Sequence, residues 1–592
     1  RKGLESLDPS RNSLISIGME MDDRGQVTKN SYGVFNLSWQ AERHPEWPDM
    51  IRKELAEIKK RIRETHRVPL RFLIWAGMGG SAEDKNMYNA VGLLKKGPRC
   101  YVLDSTDPAK LKYILDDMMN RSGLPLAEAL KSTLVAGMAM GMTSYEPVIN
   151  LEKLAILYER HKVDSRPNFT YMTLPDSLLD RFGKKQGYRK VELQPDGANS
   201  TAGRHSAPLT KGSLYPLGLA SADLKSWIEG TFLKEDQIQT AWRLAAFLNT
   251  QAVSGRSKVT MLLPKGWNGA GLWTKQDFEE SLGKCEQFGI KIVIDERHKL
   301  ANYRSPKDPL QDRCFLAVHI KGQPHQDIAK IAALRRAGYP VAMLTFPAPE
   351  LSRYMQVIHY VVFGIGYLQK MNFVTQPGVE LYKKITSRLH AESEKAGGVE
   401  KTEEWQRMQN TRKSARWRGG LTLYHDRLTD SVPVDFTDAP SRYAGILKTL
   451  AADRSIEYGD LTFFGDMRYS PQGKLMRKAL ERGADRVFRA TLKMPADVYE
   501  GPAMNHSYHE MIIGHGKCLS TVLISEKQER IPAAAYTADY HRAQYLATLM
   551  ALAERGRHVV AIMVKDLENP TLASLDDFFR QVQAALKSRR PR

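Results

Sequence analysis

Two short segments of this chain hold side chains whose types and spacing suit the movement of a proton. In Gln276-Asp277-Phe278-Glu279-Glu280-Ser281-Leu282-Gly283-Lys284, Gln276 and Glu280 lie four residues apart, one helical turn, so both polar ends can face one cavity. A carboxylate so placed can act as a general base. Glu279, its neighbour, is expected as ordinary solvated helix surface. The second segment, Gln376-Pro377-Gly378-Val379-Glu380-Leu381-Tyr382-Lys383, offers another glutamine and a lysine. Brought to the same cavity, the two segments supply a base, two amides and a cation. Its plain structural alternative is a glycine turn opening a helix, with Lys383 on the outer face.

Further segments add groups that can meet an anion. Gly77-Met78-Gly79-Gly80-Ser81 follows the apolar run Arg71–Ala76 and reads as a strand, a glycine loop and a helix. Small residues there let backbone N–H groups approach a phosphate at a helix N-terminus, although such a turn is common in α/β proteins without a ligand. Thr143 and Ser144 contribute hydroxyls ahead of Tyr145-Glu146-Pro147. Arg204, in Gly203-Arg204-His205-Ser206, stays protonated and presents donors in a fixed fork, unless it is an ordinary ion-paired arginine. His506-Ser507-Tyr508-His509 with His515 has a spacing seen in metal sites, but no acidic partner completes it, and no metal site is expected.

Together these residues resemble signatures of the phosphoglucose isomerase family. Gly77–Ser81 is similar to the G-x-G-G-S loop of sugar isomerase domains, and Gly203–Ser206 to the family's G-G-R-[FY]-S segment. Glu280 stands where the family keeps its base, and Gln376–Lys383 fits Q-x-G-V-E-x-x-K at every specified position. Asp312-Arg313-Cys314-Phe315, Arg468-Tyr469-Ser470-Pro471-Gln472-Gly473-Lys474 and Tyr540-His541-Arg542-Ala543-Gln544 resemble the isomerase portion of fused transaldolase and glucose-6-phosphate isomerase proteins.

The resemblance, from about Arg71 to Val564, implies glucose-6-phosphate/fructose-6-phosphate isomerisation through a cis-enediolate, with no cofactor. On this reading Glu280 carries the proton, with a pKa raised toward neutrality, and Arg204 steadies the enediolate. Gln276 orients the substrate and Lys383 assists ring opening and proton shuttling, while Gly79, Gly80, Ser81, Thr143, Ser144 and Gln376 hold the phosphate or a hydroxyl. The resemblance also implies a homodimer, whose sites share residues, and a functional link to transaldolase.

The chain departs from that pattern at three places, one of them the tail motif Arg468–Lys474, which is shortened and lacks the histidine expected there. Ala139-Met140-Gly141-Met142 stands where the family has a serine-lysine phosphate loop, and each lost charge-assisted hydrogen bond costs about 1.5–3 kcal/mol. The ring-opening histidine has no clear counterpart, since His359, His506 and His509 are all more often structural in such settings. A second function class therefore stands beside the first: a catalytically impaired relative serving as a binding or assembly subunit. Met140 and Met142 lining a cavity that reaches Glu280 would indicate an altered substrate, whereas burial against a partner would indicate assembly.

The elements that must position these groups alternate between β and α. Strands are expected at Arg71–Ala76, Cys100–Asp104, Thr133–Gly137 and Phe169–Leu174, then at Val259–Leu263, Ile290–Ile294, Phe315–Ile320 and Val341–Phe346. A third set falls at Leu461–Phe464, Arg486–Thr491, Ser520–Ser525 and Val559–Val564. This predicts an α/β fold with two doubly wound parallel-sheet sugar isomerase domains, 1–230 and 231–386, a charged linker over 387–420, and a C-terminal α/β region over 421–592. A chain of 592 residues, 42% hydrophobic, can bury several cores. Its four cysteines form no C-x-x-C pair, and no apolar run reaches the ~18–20 residues of a membrane span. A reducing, cytoplasmic setting is expected. The net charge of +20 suits phosphorylated metabolites as well as nucleic acid. The basic run Arg412–Arg418 is expected as a solvated linker, and nucleic acid is not expected as a partner.

Overall fold

The computed structural model describes residues 15–21, 27–30, 33–201, 203–284, 288–296, 299–411, 414–425, 438–514 and 516–588. After a small antiparallel hairpin, β1 (Met19–Met21) and β2 (Val27–Asn30), the chain builds three sheets in succession. The first contains β3 (Phe72–Ala76), β4 (Arg99–Leu103), β5 (Thr133–Ala139), β6 (Phe169–Thr173) and β7 (Arg189–Lys190) in the order β4-β3-β5-β6-β7, all parallel. The second contains β8 (Lys258–Leu262), β9 (Lys291–Val293), β10 (Arg313–Ile320) and β11 (Val341–Phe346) in the order β11-β10-β8-β9. Its strands are also parallel.

The third sheet repeats the plan. Its parallel strands β14 (Tyr458–Phe464), β15 (Ala496–Gly501), β16 (Cys518–Ser525) and β17 (His558–Val564) run in the order β17-β16-β14-β15. The antiparallel strands β12 (Ser414–Trp417) and β13 (Leu421–His425) extend its edge beyond β17. Counted from each unit's own first parallel strand, all three sheets share the order 2-1-3-4, so each has a point where the connections diverge to opposite sides. Central strands such as Phe72–Ala76 and Cys518–Ser525 are buried along their whole length, as expected where both faces of a parallel sheet are covered.

One strand lies elsewhere than expected. Arg486–Thr491 belongs to a π-helical continuation, Asp485–Leu492, of the helix Pro471–Ala484, with Val487 and Phe488 buried in the core against the C-terminal helix. The strand itself is Ala496–Gly501, hidden from an apolar pattern by Asp497 and Glu500, which are buried and ion-paired. Residues 387–420, expected as a charged linker, also hold regular structure. The helix Pro377–Ala396 runs well into them, followed by the helix Glu403–Thr411 and β12. Tyr382, Leu389 and Trp405 pack into the apolar layer beneath β14 and β16, so this segment clads the third unit. Among the described residues no helix is long and apolar enough to cross a membrane. Cys100, Cys314 and Cys518 are buried thiols, while Cys285 lies outside the described residues.

The helix Asn268–Leu282 joins the three units. From Trp273 to Leu282 every residue is buried, seven of them charged or bearing amide or hydroxyl groups. It packs against the helix Glu83–Ala90 of the first unit, Leu351–Leu368 of its own unit and Asn505–Gly514 of the third. Buried polar groups require partners, and these come from all sides. Glu279, expected on solvated surface, is fully buried and pairs with Lys275 at 2.8 Å and Lys291 at 3.4 Å. Both lysines also pair with Asp497 of the third unit.

Candidate functional site

A cavity of about 80 Å³ opens beyond the C-terminal ends of β3 and β5, where the first sheet's connections diverge. Arg204, Glu280, Gln376 and Lys383 all line it, as do Gly80, Ser81 and Ser144. Gly79 begins the short 3-10 turn beside it, with φ at +51°. Gln276 stays one turn back on its helix, fully buried, its Oε1 accepting from Ser507 Oγ at 3.3 Å. Thr143 is exposed outside the cavity lining.

Glu280 sits at the centre, 2% exposed. Its Oε1 accepts from Arg204 Nη1 at 2.9 Å and from Gln376 Nε2, and His506 Nδ1 lies 3.4 Å away. Its Oε2 is buried without a hydrogen-bond partner in the protein. Burial pushes the Glu280 pKa up, but Arg204, His506 and Lys284 outweigh it and bring the carboxyl down to about 2. The resting carboxylate is thus held opposite to the rise toward neutrality that proton transfer favours. The cause is the nearly buried Arg204, whose other contacts, Ser281 Oγ at 3.1 Å and the Phe373 carbonyl at 3.2 Å, fix it beside the carboxylate.

His506, which motif reasoning set aside, lines the cavity as well. It stands on the helix Asn505–Gly514 of the third unit, which packs against Lys383's helix. The glycine loop explains how it fits. A methyl group added at Gly79 would lie 3.2 Å from the His506 ring, and one at Gly80 would lie 2.8 Å from the Arg204 backbone nitrogen. These glycines therefore allow the arginine and histidine to converge. The other histidines differ in setting. His359 Nδ1 lies 3.3 Å from Asp277 and its Nε2 meets the Ala207 carbonyl. His509 stacks on Tyr382 and is driven by burial to a pKa of about 3. His515 lies outside the described residues, among which no His, Cys, Asp and Glu cluster is arranged to hold a metal ion.

The turn after β5 has a cation beside it from another element. A methyl group at Gly141 would sit 3.3 Å from Lys383 Nζ and 2.6 Å from Ser144 Oγ. Lys383 is bound to Glu380 at 2.9 Å, so its ammonium stands over the turn that lacks a lysine of its own. Met138 and Met140 line the same cavity, whereas Met142 is 47% exposed at the outer surface. Glu510 of the third unit fixes the helix carrying Lys383. Its Oε1 accepts from the N–H groups of Gly378 at 2.8 Å and Val379 at 3.1 Å.

No family model matches this chain, and no curated protein matches it. Solved structures do align with it. A glucose-6-phosphate isomerase from Chlamydia trachomatis is 16% identical over 64% of this chain and 81% of its own, with a TM-score of 0.47. A hypothetical protein from Thermus thermophilus is 20% identical over 60% of this chain and 94% of its own, at 0.46. A putative phosphosugar isomerase from Clostridium difficile is 13% identical over 59% and 97%, at 0.34.

Proposed function

We propose that this protein is an aldose–ketose isomerase for a sugar phosphate, with glucose 6-phosphate and fructose 6-phosphate as the first pair to test. The observation that carries this reading is the split environment of Glu280. One carboxylate oxygen is held by Arg204 and Gln376, and the other is buried and free of protein partners at the cavity. In the proposed reaction the free oxygen takes the proton from C2 of the open-chain aldose and returns it to C1, while a hydroxyl proton passes from O2 to O1. Atoms and electrons balance within the substrate, so no redox partner is needed.

Arg204 sits where negative charge grows on the enediolate oxygens. As its guanidinium shares its donors with that charge, its hold on Glu280 weakens and the carboxylate becomes a better base. His506 exchanges the hydroxyl proton and opens the ring, a role left without an owner in the sequence. Lys383, Ser144 and the N-terminus of the helix Glu146–Arg160 receive the phosphate, with Lys383 as the cation the loop itself lacks. The narrow cavity admits a hexose phosphate when the unbranched side chain of Met140 swings outward. Of the two methionines that divide the substrate reading from the assembly reading, Met140 lines the cavity that reaches Glu280, which supports turnover of a substrate, whereas Met142 is exposed outside it.

The test is conversion of fructose 6-phosphate to glucose 6-phosphate by purified protein. Turnover is expected, with Glu280→Gln reducing kcat roughly 10²- to 10⁴-fold, the range that general-base catalysis contributes. Equal turnover in the variant would remove Glu280 from the mechanism. A functional link to transaldolase belongs to the same proposal, as does a homodimer, although His506 already reaches the cavity from within the same chain.

A further inference from the structure

We propose that the third unit has a second ligand crevice at the C-terminal edge of its own sheet, and that it takes a hydroxyl-rich amino sugar without a phosphate. A cavity of about 380 Å³ lies between the loop 465–470 after β14 and the loop 526–529 after β16. These strands are the third sheet's counterparts of β3 and β5, so the cavity occupies the same topological position as the one around Glu280. Ligands of open α/β sheets bind at this point, and the volume lies in the range of small-molecule sites.

A buried donor without a partner belongs to a residue of the crevice wall. Ser525, at the end of β16, is only 5% exposed, lines the cavity, and its hydroxyl has no hydrogen-bond partner. Such a group costs stability unless a ligand satisfies it.

The charge of the walls selects the ligand. Six carboxylates, Asp107, Asp116, Asp466, Glu529, Asp566 and Glu568, line the crevice with only two lysines. Both lysines are already engaged, Lys112 with Asp116 at 3.0 Å and Lys527 with Glu568 at 3.3 Å. Asp466 accepts from the N–H groups of Arg468, Tyr469 and Ser470, and Asp107 accepts from that of Asp466. These bonds fix the carboxylates in place, and each retains acceptor capacity. An acceptor-rich, anionic wall receives sugar hydroxyls and an ammonium group and repels a phosphate. Phe464 and Tyr113 add apolar surface for a sugar face. The crevice thus differs in charge from the Glu280 cavity, which Arg204 and Lys383 line.

Titration calorimetry on the full chain with glucosamine, glucose and glucose 6-phosphate tests this. Glucosamine is expected to bind about three- to tenfold more tightly than glucose. Ser525→Ala is expected to weaken glucosamine binding about three- to tenfold, the value of one hydrogen bond. Ala109→Trp, which fills the crevice from its rim, is expected to abolish it, and Gln528→Trp does the same from the opposite wall should the first variant melt early. Glu280→Gln is expected to leave it unchanged, which separates this site from the proposed isomerase site. Absence of glucosamine binding, or binding that persists in folded Ala109→Trp and Gln528→Trp, would overturn the proposal. So would glucose 6-phosphate binding that both tryptophan variants remove.

Discussion

Glu280 is held as an anion more firmly in the resting site than a proton acceptor needs to be, and this sets its pH behaviour. Its pKa falls from an ordinary 4.5 to about 2 because Arg204, with His506 and Lys284, outweighs its burial. A carboxyl lowered on folding contributes stability that is fully present above its unfolded value and is lost as pH falls through the folded one. That contribution is therefore complete above about 4.5 and disappears toward 2. The same shift keeps the base ionised throughout neutral and mildly acidic pH. On the proposed reading, the kcat/KM profile for fructose 6-phosphate carries no acid limb from Glu280 above pH 4. Arg204→Met is expected to create one, because burial then acts on the carboxyl with its strongest counter-charge gone. A profile whose acid limb is the same in both proteins would refute the coupling. At this scale the sequence was largely legible: local motifs hold Glu280, Arg204, Gln376 and Lys383, and the cavity brings all four together. His506 was not, because its meaning depends on a long-range packing contact and nothing adjacent to it announces a role.

Elements carry the geometry that motifs only imply. The helix Pro377–Ala396 begins with Gln376 at its N-cap position and no side-chain cap of its own. Glu510, from the helix Asn505–Gly514, supplies the acceptor instead, binding the N–H groups of Gly378 and Val379. Glu510→Ala leaves these two buried donors without a partner, a cost of about 1–3 kcal/mol each. Urea unfolding is expected to show that loss, and the isomerase assay a fall in kcat as Gln376 and Lys383 drift. Glu510→Gln, whose amide oxygen can still accept, should restore most of both. Full stability in Glu510→Ala would show that the helix start is held by other contacts. The strands were legible wherever burial is apolar, as in Phe72–Ala76 and Thr133–Ala139. Ala496–Gly501 was not, because Asp497 and Glu500 serve as buried counter-charges between units and break the apolar pattern. An apparent strand at Arg486–Thr491 is the apolar stripe of a helix, with Val487 and Phe488 turned inward.

At the scale of the whole molecule, the third unit closes the candidate site and is locked to the first by buried charge. Arg468 binds Glu83 at 2.8 Å and Asp104 at 2.5 Å, and Lys110 binds Asp104 and, at 2.6 Å, Glu500. Glu83 opens the helix that follows the Gly79–Ser81 loop, so this network ties the tail segment Arg468–Lys474 to the loop beside Arg204. Sequence alone marked that segment as a motif but could not show that it acts by pairing across units. Removing one partner of a buried network costs about 3–5 kcal/mol, since the remaining charges lose their compensation. Arg468→Met leaves three carboxylates facing one ammonium and is expected to lose that much stability at pH 7. The deficit should also depend on pH with a definite sign. Burial already raises the pKa of Glu83 and of Glu500 despite their cations, and loss of Arg468 raises both further. A carboxyl whose folded pKa lies above its unfolded value takes up its proton more readily in the folded state, so the native state gains as pH falls. Denaturant titrations at pH 7 and pH 5 are therefore expected to give a smaller difference between Arg468→Met and the parent protein at the lower pH. A deficit that is equal at both values, or larger at pH 5, would mean that the two units are held together chiefly by the apolar contacts of Ile531, Tyr536 and Tyr540 with the first unit's core.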